Sequence, residues 1–316
     1  MEKKIFSKRN ITLFFLILAI ILILPLFVHG YLLRMLALIF MWIGLTACWN
    51  IIAGYTGYID FGSVGYFGIG SYVTAILMTK AKMAFLPSLV FSGIISASFA
   101  IPIGIPTLRL RGAYFGIATL AFAEAMKQVV LELDRVAHIN FFGGSHGITL
   151  PIGPGNEFFY YVMFTLMFMV MAVTLWIERS RFGYSLKAIH EAENTAELVG
   201  VNTLFAKTTA YTISAFFLGM FGATEAYWVT YITPNDVFNI HVTIQMVIMT
   251  LLGGMGTVMG PIVGGSFLTI ISEILWARFI YTYMILLGII ILIVIIFMPK
   301  GIVGTIRGLV IKKKVT

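Results

Sequence analysis

The chain has 316 residues, of which 60% are hydrophobic and 11% are charged, and its mean hydropathy is +0.99. This balance excludes an ordinary soluble domain and indicates a protein whose solvent is lipid. The net charge of +8 does not indicate nucleic-acid binding, because Lys and Arg gather in short flanks of apolar runs. In that position they control membrane topology.

Apolar runs recur along the whole chain at the length of a membrane-spanning helix, roughly 20 residues for a hydrocarbon core of about 30 Å. Three of them carry no charged residue, namely 11–28, 158–177 and 279–297. The remaining candidates are weaker and lie at 32–52, 59–79, 84–106, 113–131, 208–232, 242–260 and 262–276. This pattern predicts an all-α, polytopic transmembrane helical bundle that forms a single domain over residues 1–316.

The first apolar run follows four basic residues and therefore has the charge pattern of a secretory signal peptide. Its length of about 18 residues exceeds that of a signal-peptide core, and no small-x-small cleavage site follows it. We therefore expect it to be the first membrane crossing.

Basic clusters flank several of the runs and are expected on the cytoplasmic side of a prokaryotic cell membrane. They lie at 3–9, 109–111, 179–187 and 300–314. This rule predicts about ten crossings, or eight if 242–276 holds a re-entrant pair, with cytoplasmic tails at 1–10 and 298–316. Segment 132–157 then becomes an outer loop. Lys80 and Lys82 fall outside and violate the rule.

Two glycine-rich segments interrupt the apolar pattern, one in each half of the chain. The first spans 54–70 and the second 251–265. The glycines either allow close packing of helices or form discontinuous helices, whose half-helix N-termini offer N–H groups to a solute carboxylate. On the second interpretation, the candidate solute-path residues are Gly54, Gly57, Asp60, Gly62, Gly65, Gly253, Gly254 and Gly256.

Segment 178–207 is the most polar stretch of the chain and predicts a short amphipathic helix. Its apolar stripe consists of Leu186, Ile189, Ala192, Ala196 and Val199, and its polar face consists of Lys187, His190, Glu191, Glu193, Asn194 and Glu197. Ser185 is expected to cap the helix and Gly200 to end it. The polar face is mainly acidic, which favours a protein partner over a membrane surface.

Isolated ionisable residues lie within or beside the predicted spans, where a charge costs roughly 2.5–3.5 kcal/mol at the bilayer centre. We expect Glu124 and Lys127 to pair with each other, Glu225 to face the protein interior, and Glu273 to reach the interface. Arg34 is interpreted as a snorkelling anchor. An ion-coupled carrier would instead use Asp60, Glu124 or Glu225 as its proton or cation sites.

Motifs for catalysis and for nucleotide binding are missing from the sequence. There is no Gly-Lys dipeptide and hence no P-loop, no nucleophile elbow and no H-E-x-x-H motif. The solitary Cys48 allows no intrachain disulfide, and the five histidines lack metal-ligand spacing. We therefore expect neither an enzyme nor a cofactor in this chain, and any ATP-driven cycle would need separate subunits.

Several sequence blocks together resemble the LivM-type permeases of branched-chain amino-acid ABC importers, over about residues 40–275. The blocks read GYTGYIDFGSVGYFGIGSYVTAIL, LRLRGAYFGIATLAFAE, GGSHGI, SRFGYSLKAIHEAENTAELVGVN, SAFFLGMFGATEAYW and LLGGMGTVMGPIVGG. The resemblance implies a permease for leucine, isoleucine and valine. It also implies a LivH-like second permease, two cytoplasmic ATP-binding subunits and an extracytoplasmic substrate-binding protein.

The same resemblance gives segment 178–207 a role as the helix that docks on the ATPase. Glu193, Ala196 and Gly200 match its signature, and Lys187, Glu191 and Glu197 complete the predicted coupling face. Contact with the binding protein is expected at 132–157 and 233–241. Relatives of the family also serve urea, other amino acids and sugars, so importers of such solutes are the alternatives within the class.

Overall fold

The structure is a computed structural model that describes residues 21–28, 30–137, 143–279, 282–298 and 301–306. Ten helices of at least 14 residues account for most of this part of the chain. We number them α1 Tyr31–Thr56, α2 Ser63–Thr79, α3 Phe85–Thr107, α4 Ala113–Ala137, α5 Asn156–Arg179, α6 Arg181–Leu198, α7 Thr203–Val229, α8 Ile240–Gly253, α9 Met259–Arg278 and α10 Tyr283–Phe297.

The remaining regular elements are short. They include the 3₁₀ turns Leu24–Leu26 and Gly144–His146, the helical turn Pro234–Val237, and the strands β1 Ile148–Thr149 and β2 Tyr231–Ile232, and residues 301–306 are helical as well. The two strands pair antiparallel, with Ile148 opposite Ile232, and the Leu150 N–H donates to the Thr230 carbonyl at 2.7 Å. This pairing ties the loop before α5 to the end of α7.

Seven helices of the described chain are long and apolar enough to cross a membrane, and α2 is apolar but shorter. The seven include α1, α3, α4, α5, α7 and α9, together with α8 and the helical turn before it. The protein is therefore an all-α, multi-pass membrane protein. Most of the first run and of both predicted tails lies outside the described residues, and the count of about ten crossings stays a prediction.

Two predicted boundaries differ from those of the structure, each for a local reason. The outer loop is shorter than 132–157, because α4 continues to Ala137 through residues without Gly or Pro. The break between the limbs of 242–276 lies at 254–258, within the predicted glycine-rich segment 251–265 but before the boundary between the predicted runs 242–260 and 262–276. Gly254 and Gly256 have φ of 119° and 68° there, whereas Pro261 lies in the first turn of α9, where a missing N–H costs nothing.

The centre of the bundle is formed by α2, α3 and α7, which pack through small residues. A Cβ atom on Gly70 would lie 2.1 Å from the carbonyl oxygen of Gly219, and one on Gly219 would lie 2.3 Å from the Ser96 hydroxyl. The Ser71 hydroxyl donates to the Gly222 carbonyl at 2.9 Å. Small side chains thus bring the helix backbones into direct contact.

Candidate functional site

Helix α6 is the amphipathic helix predicted within 178–207, but it begins earlier and is kinked. Its N-cap is Ser180, whose hydroxyl accepts from the Gly183 N–H at 3.1 Å. The prediction of Ser185 as the cap is wrong, because Ser185 lies within the helix and donates to the Arg181 carbonyl. Ala192 has φ −162° and ψ 98°, so the helix is interrupted there.

The end of α6 follows the sequence prediction for Gly200. This glycine has φ 90°, its N–H donates to the Glu197 carbonyl, and the next N–H, of Val201, donates to the Ala196 carbonyl. These two bonds form a Schellman motif, which satisfies carbonyls left over at a helix end. A residue other than glycine would be strained at this φ.

The kink divides the predicted stripe and the predicted polar face. Leu186, Ile189 and Ala196 are buried against the bundle, whereas Ala192 and Val199 are exposed. That part of the stripe prediction is wrong, since it assumed one unbroken helix. The same break turns Glu193 away from the polar face and towards the bundle.

Glu193 forms the centre of a buried ionic cluster. Its carboxylate lies 2.6 Å from the ammonium of Lys207 and 3.6 Å from Nε of Arg111, and it also accepts from the hydroxyl of Tyr58. Lys207 donates in addition to Tyr58 Oη at 3.0 Å and to the Leu108 carbonyl at 2.8 Å. The cluster therefore joins α6 to α7, to the α1–α2 turn and to the end of α3.

The electrostatics of the cluster favour a charged Glu193. Burial raises the pKa of this carboxyl, but hydrogen bonds from Lys207 and Tyr58 and the charges of Lys207 and Arg111 outweigh it. The net result is a pKa below the ordinary value for glutamate. The Lys207 side chain is only 3% exposed and that of Glu193 13%, so each ion depends on the other for compensation.

The distal part of α6 is open to the outside of the chain. Leu198 is 87% exposed and Val199 75%, and no atom lies within 4 Å of a Cβ placed on Gly200. Glu191 and Glu197 are exposed too, although Glu197 accepts from the Thr203 hydroxyl at 2.6 Å. Lys187 is half-buried, with its ammonium 5.7 Å from the ring centre of Tyr55.

The two glycine-rich segments meet in space beside this end of the bundle. Asn50, in α1 just before the first segment, binds the second one, because its amide oxygen accepts from the Gly256 N–H at 2.9 Å and its amide N–H donates to the Thr257 carbonyl at 3.1 Å. A Cβ atom on Gly54 would lie 2.6 Å from the Gly256 nitrogen. Glycine is therefore required at position 54 for the backbones of the two segments to approach each other this closely.

The other predicted path residues also lie in close contacts. A Cβ atom would lie 2.5 Å from the Thr119 carbonyl at Gly62, 2.8 Å from the Phe122 ring at Gly65 and 1.9 Å from the Gly260 carbonyl at Gly253. Gly254 contacts Gly301. Gly57 lies against the ring of His190 and lines a cavity of about 410 Å³ beside the Glu193 cluster.

The N-terminus of α2 binds an anion that belongs to the chain itself. Asp60 is buried, and its carboxylate accepts from the Gly62 N–H at 2.8 Å and from the Ser63 hydroxyl at 2.5 Å. The Val64 N–H donates to the hydroxyl of Thr243. The donors at this helix end therefore already have acceptors, and a solute carboxylate would have to displace the Asp60 carboxylate or the Thr243 hydroxyl. A role of the eight residues in a solute path stays a prediction.

The isolated ionisable residues divide into paired and unpaired ones. Glu124 and Lys127 pair at 3.3 Å, as the sequence predicted. Glu273 accepts from the Tyr31 hydroxyl at 2.6 Å. Glu225 and Arg34 instead line one cavity of about 560 Å³ at the end of the bundle away from Glu193.

Sequence reasoning missed three residues that organise the site, namely Asn50, Tyr58 and Lys207. Only Lys207 could have been identified from the sequence, since a lysine in the second turn of a long apolar helix requires a partner. The partner, Glu193, lies in the preceding helix. Asn50 and Tyr58 are ordinary polar residues near the end of α1, and their roles depend on contacts distant in sequence.

Comparison with known protein families identifies the family of this chain. The model of the family described as branched-chain amino acid transport system / permease component matches residues 31–295. The chain belongs to this family. The match covers every helix from α1 to α9 and most of α10.

Relatives of this permease-component family include both LivM and LivH proteins. The chain is 26% identical to the high-affinity branched-chain amino acid transport system permease protein LivM of Salmonella typhimurium, over 82% of the chain and 66% of that relative. It is 23% identical to a probable LivM of Methanocaldococcus jannaschii, over 85% and 93%. It is 24% identical to LivH of Salmonella typhimurium, over 81% and 89%.

The chain thus spans 66% of the length of the bacterial LivM relatives. No solved structure matched the chain.

Proposed function

We propose that this chain is a transmembrane permease subunit of an ATP-driven importer for branched-chain amino acids. In this proposal it crosses the membrane about ten times and forms the translocation path with a second, LivH-like permease. The assembly includes two cytoplasmic ATPase subunits, one of which docks on α6, and an extracytoplasmic binding protein delivers leucine, isoleucine or valine. Membership of the family and the names of the LivM and LivH relatives support this assignment.

The observation that carries the proposal is the connection of α6 to the bundle. The exposed tip at Leu198 and Val199 offers an apolar contact surface, while Glu193, after the kink, is held by Lys207. A displacement of the tip is therefore transmitted through one ionic cluster to α7, to the α1–α2 turn and to the end of α3. Alternating access needs a rigid link of this kind between the ATPases and the spans.

Transport in reconstituted vesicles tests the function directly. The chain and its partner subunits should take up leucine, isoleucine and valine only when ATP is present, and a protonophore should leave the uptake unchanged. Urea serves as the competing solute of the same importer class. Uptake without ATP that collapses with the proton gradient would instead identify an ion-coupled carrier.

A substitution at the tip of α6 tests the coupling. Leu198→Asp should abolish the stimulation of ATPase activity by substrate while the chain remains in the membrane, because an unpaired charge at an apolar interface opposes docking. Leu198→Met keeps the apolar surface and should retain the stimulation. Normal transport by the Leu198→Asp protein would contradict docking at this surface.

A further inference from the structure

A cavity of about 560 Å³ lies between α1, α5 and α7, at the end of the bundle opposite the Glu193 cluster. Glu225 follows Lys207 by 18 residues in the same helix, a distance of roughly 27 Å at the rise of an α-helix. Residues 152–156, at the start of α5, line the cavity. Its wall includes Arg34, Asn156, Phe159, Glu225 and Trp228.

The two charged residues of this cavity are not paired. Among the described residues, neither Arg34 nor Glu225 takes part in an ion pair within 4.0 Å, and neither side chain has a hydrogen-bond partner. The guanidinium of Arg34 instead lies 5.9 Å from the ring centre of Trp228. Opposite charges on one wall that do not reach each other leave space for a group that neutralises both.

The adjoining cavity provides a comparison, because it shares Arg34 and Leu38 with the first. Its carboxylate, Glu273, already accepts a hydrogen bond from the Tyr31 hydroxyl at 2.6 Å. Glu225 has no such neighbour. The carboxylate left open to a ligand beside Arg34 is therefore Glu225.

The polar and apolar groups around Glu225 are complementary to one class of small molecule. The Trp228 indole N–H donates to Asn156 Oδ1 at 3.3 Å, which leaves the Asn156 amide N–H groups free to donate. Phe159 and Leu38 supply apolar surface in the same cavity. A site with two opposite charges, an amide donor and an apolar wall matches a zwitterion with an aliphatic side chain.

We propose that this cavity binds the head group of an α-amino acid, with Arg34 and the Asn156 amide at its carboxylate and Glu225 at its ammonium. Phe159 and Leu38 contact the side chain. The inference rests on the proposed function, for which it names a solute site near the outer end of the path. Neither glycine-rich segment takes part in it.

Binding is measured by titration calorimetry on the full chain in nanodiscs, assembled with its second permease and ATPases but without the binding protein. The probes are L-leucine, 4-methylpentanoate, which lacks the ammonium, and 3-methylbutylamine, which lacks the carboxylate. Leucine should bind saturably, and each analogue at least about tenfold more weakly, because each leaves either Arg34 or Glu225 without the charged group that neutralises it. Equal binding of leucine and either analogue would overturn the proposal.

Substitutions assign the two ends of the ligand. Glu225→Gln and Arg34→Gln should each weaken leucine binding by about tenfold or more, and Glu225→Gln should leave the affinity for 4-methylpentanoate within about twofold. Glu273→Gln, which keeps an acceptor for Tyr31 in the neighbouring cavity, is the matched control and should change leucine affinity by less than about twofold. Unchanged leucine binding in the Glu225→Gln protein would remove the site.

The analogues keep the test decisive if either variant fails to fold, since they use only the parent chain. ATP-dependent leucine uptake without saturable binding in the absence of the binding protein would refute this site and leave the proposed importer intact. Absence of ATP-dependent uptake, with leucine bound as described, would refute the importer and not the cavity.

Discussion

The two ends of the bundle differ in whether their charged side chains are paired within the chain. At one end Glu193, Lys207 and Arg111 come together, and Tyr58 and a backbone carbonyl satisfy the remaining donors and acceptors. At the other end Arg34 and Glu225 line the same cavity without contact. A charge with all its partners in the chain holds helices together, whereas a charge without them is available to a ligand.

This difference distinguishes two roles of an ionisable residue in a membrane protein, namely stabilisation of the fold and binding of a ligand. Such residues are costly and are therefore expected at functional positions. The structure adds that the partner decides the role. Removal of a charge should lower stability at the first end and leave it unaffected at the second.

The largest effect is expected for Lys207→Met, which leaves Glu193 charged and without its closest partner. Loss of one member of a buried pair costs about 3–5 kcal/mol, so the midpoint of thermal unfolding in detergent should fall sharply. Lys187→Met, which changes a half-buried lysine on α6, is the matched control and should lower the unfolding midpoint only slightly. The double change Lys207→Met with Glu193→Gln should recover part of the loss, since no charge is then stranded. A midpoint equal to that of the parent would show that the cluster does not hold α6 in place.

A smaller effect is expected from pH, through the depressed pKa of Glu193. The folded pKa is lower than the unfolded one, so this carboxyl stabilises the protein fully above about pH 4.3, the ordinary glutamate value. That contribution is lost as the pH falls through the folded pKa. Thermal unfolding followed between pH 7 and pH 3 should therefore show a steeper acid loss in the parent than in Glu193→Gln.

Glu191→Gln provides the comparison with a carboxylate outside the cluster. Glu191 lies two residues from Glu193 and is exposed. Its substitution should leave the acid profile of the parent unchanged. If Glu191→Gln and Glu193→Gln flatten the profile equally, the depressed pKa of Glu193 is not the cause.

The part of the site that sequence could predict is the part that depends on near neighbours. The spacing of Leu186 and Ile189 predicted an amphipathic helix, Gly200 predicted its end, and Glu124 with Lys127 predicted an i,i+3 pair. Each of these depends on one or two helical turns. The energies involved are local, so a single sequence contains them.

The kink and the contacts that it allows could not be predicted in this way. Ala192 is a strong helix former by propensity, yet its backbone is extended because Glu193 turns inwards to meet Lys207, 14 residues away. Asn50 binds the second glycine-rich segment through partners more than 200 residues away. Which side chains meet across a bundle is set by tertiary packing, which periodicity does not encode.

The smallest effect on stability is expected at the cavity end, where it contrasts most with the effect on binding. In Glu225→Gln and Arg34→Gln no partner is stranded, so the free energy of unfolding should stay unchanged or rise by up to about 1 kcal/mol. Glu191→Gln changes an exposed residue outside the candidate spans and should change the free energy of unfolding by no more than about 0.5 kcal/mol, which gives the size of a neutral change. Thermal unfolding of the three variants beside the parent, without added amino acid, is the measurement. A loss of 3 kcal/mol or so in Glu225→Gln, like that expected for Lys207→Met, would mean that Glu225 holds the bundle together, and the distinction between the two ends would fail. If stability is retained while leucine binding is lost, the charges at this end contribute to ligand binding and not to the stability of the fold.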